Sequence, residues 1–136
     1  MDKKILIIED EPFILETYSR ELEKTGYQID TAVDGTSGLD KSLNQEYDLI
    51  LLDIMLPEMN GIDILREIKK NEKASKTPVI LLTNLGQESV VDEAFKLGAQ
   101  GYILKINALP TQLVKRVSEF FETGKFNSED IGFLES

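Results

Sequence analysis

The sequence predicts an α/β protein: a doubly wound five-stranded parallel sheet flanked by five helices. Three observations carry that expectation. Uninterrupted apolar runs, Ile5-Leu-Ile-Ile8, Leu49-Ile-Leu-Leu52 and Val79-Ile-Leu-Leu82, are too short to cross a membrane and have the form of strands buried on both faces of a parallel sheet. Between them, apolar residues recur at helical spacing, as in Ile14, Tyr18 and Leu22. The connections are short throughout, which suits repeated β-α units whose right-handed crossovers cover both faces of the sheet.

Taken in order, Pro12 stands at a first-turn position and opens a helix over residues 12 to 24, closed near Gly26. Tyr27 to Val33 reads as a weaker, partly alternating second strand, and Asp34-Gly35-Thr36 starts a short helix containing Leu39 and Leu43. After the central apolar run, Pro57 and the Asn60-Gly61 pair force a loop. Ile62, Leu65 and Ile68 form the apolar side of the third helix, and Lys69 and Lys70 complement the dipole in its last turn. Lys76-Thr77-Pro78 breaks the chain before the fourth strand, which ends at Thr83. Gln87 to Leu97 is a fourth helix with Gly98 as its left-handed cap, and Gly101 to Lys105 is a fifth strand. Pro110 begins the last helix, whose Leu113, Val114, Val117, Phe120 and Phe121 form a broad apolar stripe. The expected strand order is 2-1-3-4-5, which makes the fold flavodoxin-like.

Length and composition narrow the function. At 136 residues the chain fits one domain. Its 25 acidic residues against 15 basic ones give a net charge of −10, which argues against a nucleic-acid-binding surface and suits a protein-facing role. There is no cysteine and no histidine, so thiolate chemistry, disulfides and imidazole bases or ligands are excluded. Chemistry has to come from carboxylates, hydroxyls and lysine. Met1-Asp-Lys-Lys runs into a four-residue apolar run and then acids, unlike a signal peptide, so a cytoplasmic location without membrane insertion is expected.

Each strong strand ends in a chemically distinctive residue: Glu9 and Asp10 after the first, Asp53 on the third, Thr83 on the fourth, Lys105 on the fifth. In the 2-1-3-4-5 order these ends are neighbours at the carboxyl edge of the sheet, where open α/β folds bind ligands. A carboxylate presented there, such as Asp53, acts as a nucleophile, a metal ligand or both. Three acids in one crevice repel one another, and a hard divalent cation with oxygen ligands, Mg²⁺, together with the Lys105 ammonium is the simplest compensation. Such a site favours phosphoryl transfer through an aspartyl-phosphate. Each residue also has a plainer reading. Asp53 can end the strand and cap the next turn, Thr83 can cap a helix, Lys105 can be a solvated strand end, and Glu9 to Glu11 can be an acidic helix start.

Four segments in order, Ile7-Ile-Glu-Asp-Glu-Pro12, Leu51-Leu-Asp-Ile-Met-Leu-Pro-Glu-Met-Asn-Gly61, Ile80-Leu-Leu-Thr83 and Gly98-Ala-Gln-Gly-Tyr-Ile-Leu-Lys105, make residues 3 to about 123 similar to the receiver domains of two-component response regulators, of the chemotaxis-regulator-like kind. The resemblance implies a phosphorylation-dependent signalling switch in which Asp53 accepts a phosphoryl group from a histidine kinase or a histidine phosphotransfer protein. It implies that Glu9, Asp10, Asp53 and the backbone carbonyl of Met55 bind Mg²⁺, with Glu9 acting directly or through water. Thr83 would hydrogen-bond a phosphoryl oxygen, Lys105 would pair with another, and Tyr102 would be the rotamer switch, although a tyrosine at that place also reads as packing. The receiver would span residues 1–124, followed by an acidic tail over 125–136, and would act on an unidentified downstream protein. Ile131, Phe133 and Leu134, scattered among the acids of the tail, can dock on a partner or on its own domain, although a disordered end is the plainer reading.

Two departures stand out from that pattern. Ile106 follows Lys105 where proline is usual, and a trans peptide bond with a rearranged loop is expected there. Asn84 replaces a small residue after Thr83. The resemblance also implies that Met55 and Leu85 flank the approach of a hydrolytic water; both are bulky and apolar, so slow self-dephosphorylation is expected. Two other functions compete with the switch. A phosphohydrolase using the same intermediate usually has a second acid two residues after the nucleophile, where this chain has Met55. A pseudo-receiver acting as a constitutive interaction module has no need of the complete acidic set. The expected protein is therefore not an enzyme beyond its own phosphotransfer and dephosphorylation. No DNA-binding or catalytic domain is read after the last helix, so the chain is expected to be a stand-alone receiver or a part of a longer protein.

Overall fold

The computed structural model describes residues 2–84, 86–105, 109–126 and 128. Five strands, β1 (Lys4–Ile8), β2 (Gln28–Ala32), β3 (Leu49–Asp53), β4 (Val79–Thr83) and β5 (Gly101–Leu104), alternate with five helices, α1 (Pro12–Lys24), α2 (Gly35–Asn44), α3 (Gly61–Lys70), α4 (Glu88–Lys96) and α5 (Pro110–Thr123). The sheet is parallel in the order β2-β1-β3-β4-β5, as the sequence predicts.

Strand alternation divides the core into two layers. Ile5, Ile7, Leu49, Leu51, Ile80, Leu82 and Ile103 face Tyr18 and Leu22 of α1 and Leu113, Val117 and Phe120 of α5. Leu6, Ile8, Ile50, Leu52, Val79, Leu81 and Leu104 point the other way, against α3 and α4. Every residue of β3 and β4 is buried, so these strands read as continuous apolar runs, whereas β2 lies at an edge and keeps a mixed pattern. On that edge Lys41 of α2 donates to Asp30 at 2.8 Å and the Tyr47 hydroxyl donates to the other carboxylate oxygen at 2.7 Å.

The observed boundaries differ from the expected ones in small ways. β2 is shorter than 27–33, α4 starts at Glu88, and a 3-10 turn occupies Ala74–Lys76 just before the expected break. Lys105 lies one step beyond β5, although its N–H still donates to the Thr83 carbonyl at 2.8 Å. The expected loop separates β3 from α3, and the Asn60-Gly61 pair ends it by starting the helix, with the Asn60 side chain accepting from the Ile62 N–H at 2.8 Å. Gly61 is needed there, since a Cβ would overlap the Ile54 Cα and stand 2.8 Å from the Asp53 carbonyl oxygen.

After α5 the packing continues beyond residue 124, where the boundary of the domain is expected. The Phe126 ring lies against Phe120, with 6.4 Å between centroids, and over Gly101, where a Cβ would come within 2.6 Å of it. Ser128 Oγ accepts the N–H of Tyr102 at 3.0 Å, satisfying a donor on the edge strand β5. Ile131, Phe133 and Leu134 of the tail, and the Lys105–Ile106 bond, lie outside the described residues. Phe126→Ala should lower stability by about 1–2 kcal/mol, the order expected for a partly buried aromatic ring. Ending the chain at Gly124 should cost at least as much, read as the midpoint of urea unfolding at unchanged slope; equal midpoints for the truncated and full chains would mean that this packing contributes nothing.

Candidate functional site

The carboxyl edge of the sheet is shaped by where each strand stops. β1 leads directly into Glu9, whose N–H still donates to the Ala32 carbonyl at 3.0 Å, so the acid continues the strand into the interior and is fully buried. Asp53 is the last residue of β3, at 2% exposure, and its backbone is fixed from above by α3 through the Gly61 N–H to the Ile54 carbonyl, 3.1 Å. Asp10, half-buried, follows Glu9. One carboxylate oxygen from each of Glu9, Asp10 and Asp53 lies within 4.8 Å of the others.

Lys105 enters this group from β5 with its side chain only 4% exposed. Its Nζ donates to Glu9 Oε1 at 3.0 Å and to Asp53 Oδ2 at 3.1 Å, and pairs with Glu11 Oε1 at 3.6 Å. The solvated strand-end reading of this lysine is therefore wrong. The second Asp53 oxygen, Oδ1, accepts the N–H of Met55 at 2.9 Å, so the carboxylate is oriented from both sides.

Burial is the main perturbation of Glu9. It pushes that carboxyl up to about 8, with the Asp53 charge adding to the rise while the Glu11 N–H and Lys105 oppose it. Lys105 moves upward too. Burial works against its charge, but the bond to Glu9 and the field of Asp53 outweigh that cost. Tyr18, which the sequence marked only as part of an apolar helix face, feels the same cluster: burial raises its hydroxyl to about 12 against the pull of Lys105.

The other expected residues take different positions. Thr83 is fully buried at the end of β4, but its hydroxyl donates to Gln87 Oε1 at 2.5 Å. It does not cap α4 in the usual way, since the residue before that helix is Gln87. Tyr102 points into the core at 4% exposure, edge-on to Phe95 with centroids 6.0 Å apart. Met55 presents its N–H to Asp53 and leaves its side chain 53% exposed beside the site. Asn84 is exposed, and Leu85 lies outside the described residues. Sequence reading missed Glu11 as a partner of Lys105 and Gln87 as a partner of Thr83. The second had a signal: an amide one helical turn beyond a threonine at a strand end.

Three acids facing one ammonium leave a negative excess, and all the donor atoms are oxygens. That set fits a hard divalent cation better than any soft metal. Among the described residues, this is the group whose carboxylates converge closely enough to hold one. No helix of the described chain is long and apolar enough to cross a membrane.

Residues 5–118 match the family model of the response regulator receiver domain. The response regulator ArlR of Staphylococcus saprophyticus is 42% identical over 102 residues, 75% of this chain and 45% of that protein. A CheY-like response regulator receiver domain protein from Methanospirillum hungatei superposes with a TM-score of 0.82 at 30% identity, over 90% of this chain and 95% of that one. The receiver domain of the sensor histidine kinase PA1611 from Pseudomonas aeruginosa, a structure with a magnesium ion coordinated in its active-site cleft, has a TM-score of 0.80 at 25% identity, over 90% of this chain and 100% of that one. The chain thus spans less than half the length of the ArlR relative.

Because the acids repel one another, Asp10→Asn should leave the metal-free protein as stable as the unaltered one or slightly more so. Millimolar Mg²⁺ should raise the melting temperature of the unaltered protein and not that of the variant. An equal Mg²⁺-induced shift in both would remove Asp10 from the cation site.

Proposed function

The chain belongs to the response regulator receiver domain family of two-component signalling, and on that premise we propose that Asp53 is the phosphoryl acceptor of a switch driven by a histidine kinase or a histidine phosphotransfer protein. The observation that carries the reading is the buried Asp53 carboxylate, oriented by Lys105 Nζ at 3.1 Å and the Met55 N–H at 2.9 Å, next to the acids Glu9 and Asp10. In the reaction a carboxylate oxygen of Asp53 bonds to phosphorus as the bond from phosphorus to the donor's imidazole nitrogen breaks. The electron pair leaves with the imidazole, and an acyl phosphate remains.

Glu9, Asp10, Asp53 and the Met55 carbonyl are the groups that would hold Mg²⁺. The ion, when bound, supplies charge neutralisation for the incoming phosphoryl oxygens. Lys105 stabilises negative charge on the transferred group, and Thr83 donates its hydroxyl to another phosphoryl oxygen. Tyr102, packed beside α4, carries the change to the partner-binding surface. Met55 flanks the path of the hydrolytic water with no hydrogen-bonding group on its side chain, which favours a long-lived phosphoryl group. A self-contained phosphohydrolase is disfavoured by the same residue. Transcriptional regulators about twice the length of this chain's matching part, such as ResD of Bacillus subtilis, of which it covers 53%, are among the relatives, so an output in a longer protein is part of the proposal. This acidic chain is proposed to act there through protein contacts and not by touching nucleic acid.

A partner has a place to dock. Phe13 (78% exposed), Val33, Met55 and Leu109 are large apolar side chains left open to solvent, and all four follow strand ends or begin helices at the carboxyl edge of the sheet, around the acid crevice. We take these exposed side chains as the apolar contacts of a docking rim, with Phe13, the most exposed of them, as the one to test.

Incubation with Mg²⁺ and acetyl phosphate, followed by intact mass measurement, should show one added phosphoryl group that is absent in Asp53→Ala. No added mass on the unaltered protein would favour the constitutive pseudo-receiver. Phe13→Ala should slow transfer from a phosphorylated histidine protein about tenfold, the effect of losing one well-placed apolar contact of roughly 1.4 kcal/mol, while the rate with acetyl phosphate stays the same. Equal slowing with both donors would place Phe13 in the chemistry or the fold and not in docking.

A further inference from the structure

The connection from β4 to α4 holds an arrangement that the proposed chemistry does not use. Gln87 Oε1 accepts two hydrogen bonds, from the Asn84 backbone N–H at 2.8 Å and from Thr83 Oγ1 at 2.5 Å. The first of these decides the second. A backbone N–H can only donate, so the atom facing it is the carbonyl oxygen of the Gln87 amide and not its nitrogen. A carbonyl oxygen cannot donate, so the hydroxyl proton of Thr83 is the one shared in the shorter bond. The other acceptor near this hydroxyl, the Asn84 carbonyl, is at 3.3 Å and weaker.

Thr83 is completely buried, one residue beyond the Leu82 that pairs with Asp53 across the sheet. Its hydroxyl has one proton to give. A phosphoryl oxygen on Asp53 and the Gln87 carbonyl are therefore mutually exclusive acceptors. We propose that Gln87 is a positioning residue, a latch that holds the Thr83 hydroxyl in the unphosphorylated state and must release it when Asp53 is modified. This inference rests on the phosphoryl-acceptor reading and adds the group that opposes it.

The latch has two consequences. Occupying the phosphorylated state costs the short, half-buried hydrogen bond from Thr83 to Gln87, so Gln87 biases the domain towards the unmodified form. Release also leaves the Gln87 side chain, among the described residues, with the Asn84 N–H alone, and since Gln87 immediately precedes α4, the loss is felt at the first turn of that helix. The same helix packs on Tyr102 through Phe95.

The test uses beryllofluoride, a phosphoryl mimic that binds without a covalent step, titrated by calorimetry in the presence of Mg²⁺. Gln87→Met keeps the length of the side chain and removes the acceptor. It should bind beryllofluoride about threefold to tenfold more tightly than the unaltered protein, the ratio expected when one net hydrogen bond no longer competes. Gln87→Ala should shift affinity in the same direction, and affinity for Mg²⁺ alone should not change in either variant. In a Thr83→Ala background the Gln87→Met change should have no effect, because nothing remains to be latched; a general loosening of the loop would act in both backgrounds. Thr83→Ser should restore the sensitivity. An unchanged or weaker affinity in Gln87→Met with Thr83 present, or an equal gain in the Thr83→Ala background, overturns the latch. Those outcomes leave the acceptor reading standing. An unaltered protein that neither binds beryllofluoride nor takes phosphate from acetyl phosphate overturns both.

Discussion

The ammonium of Lys105, held between Glu9 and Asp53 in the interior, is the interaction on which the rest of this structure depends. Three ionisable side chains, each at most 4% exposed, meet at 3.0 and 3.1 Å. Removing such groups from water is costly, and a pair or triad repays the cost only when its geometry is good and its remaining atoms are satisfied. Here the free oxygen of Asp53 has the Met55 N–H, and Glu9 Oε2 accepts the Glu11 N–H at 3.0 Å. The two acids come from β1 and β3 and the lysine follows β5, so the triad exists only if β3 and β4 lie between the first and last of these in the right order. Right-handed crossovers from the first unit and then a reversal of direction supply that order. The charge arrangement and the topology are one constraint seen twice.

The same requirement explains the glycine at the start of α3. For Asp53 to be buried yet reachable, the chain after it has to turn over the end of β3 and come back against its own backbone. Gly61 makes that approach possible, donating its N–H to Ile54 where a side chain would collide with Ile54 and the Asp53 carbonyl. The Asn60-Gly61 pair thus serves the site by closing the loop tightly.

Most of the fold was legible in the sequence because it is written in periodicity. β3 and β4 are buried on both faces and are therefore apolar up to their last residues, Asp53 and Thr83, and α5 repeats Leu113, Val117 and Phe120 along one side. The convergence of Glu9, Asp10, Asp53 and Lys105 was legible too, since it follows from strand ends plus strand order. What stayed hidden lacks periodicity. The contact of Lys105 with Glu11 joins residues that neither packing nor pairing brings together, and the bond from Thr83 to Gln87 spans a short loop where many side-chain arrangements share the same backbone path. Phe126 lay beyond the last amphipathic helix, and its partner, the missing side chain of Gly101, is visible only when the two are seen in contact. Burial was also underestimated: Glu9 looked like a helix-start charge, yet it is the most deeply placed acid of its triplet.

An ammonium has three N–H groups, and in this structure all three directions have partners: Glu9, Asp53 and, more loosely at 3.6 Å, Glu11. The Thr83 hydroxyl has one proton, and Gln87 takes it. The two side chains proposed to grip a phosphoryl group are thus already engaged, so the unmodified state is a set of satisfied bonds. Phosphorylation then has to be an exchange of partners. Lys105 has its weakest attachment in the 53%-exposed Glu11 side chain, which can return to water while the two buried bonds to Glu9 and Asp53 hold the ammonium, whereas Thr83 has a single short bond, to the half-buried Gln87, to give up. On the proposed reading, the exchange that reaches a helix is therefore the one at Thr83, whose partner Gln87 immediately precedes α4. A modification of Asp53 would in this way be converted into a directed rearrangement: Lys105 keeps its place between Glu9 and Asp53, and the Thr83 hydroxyl changes partner at the start of α4.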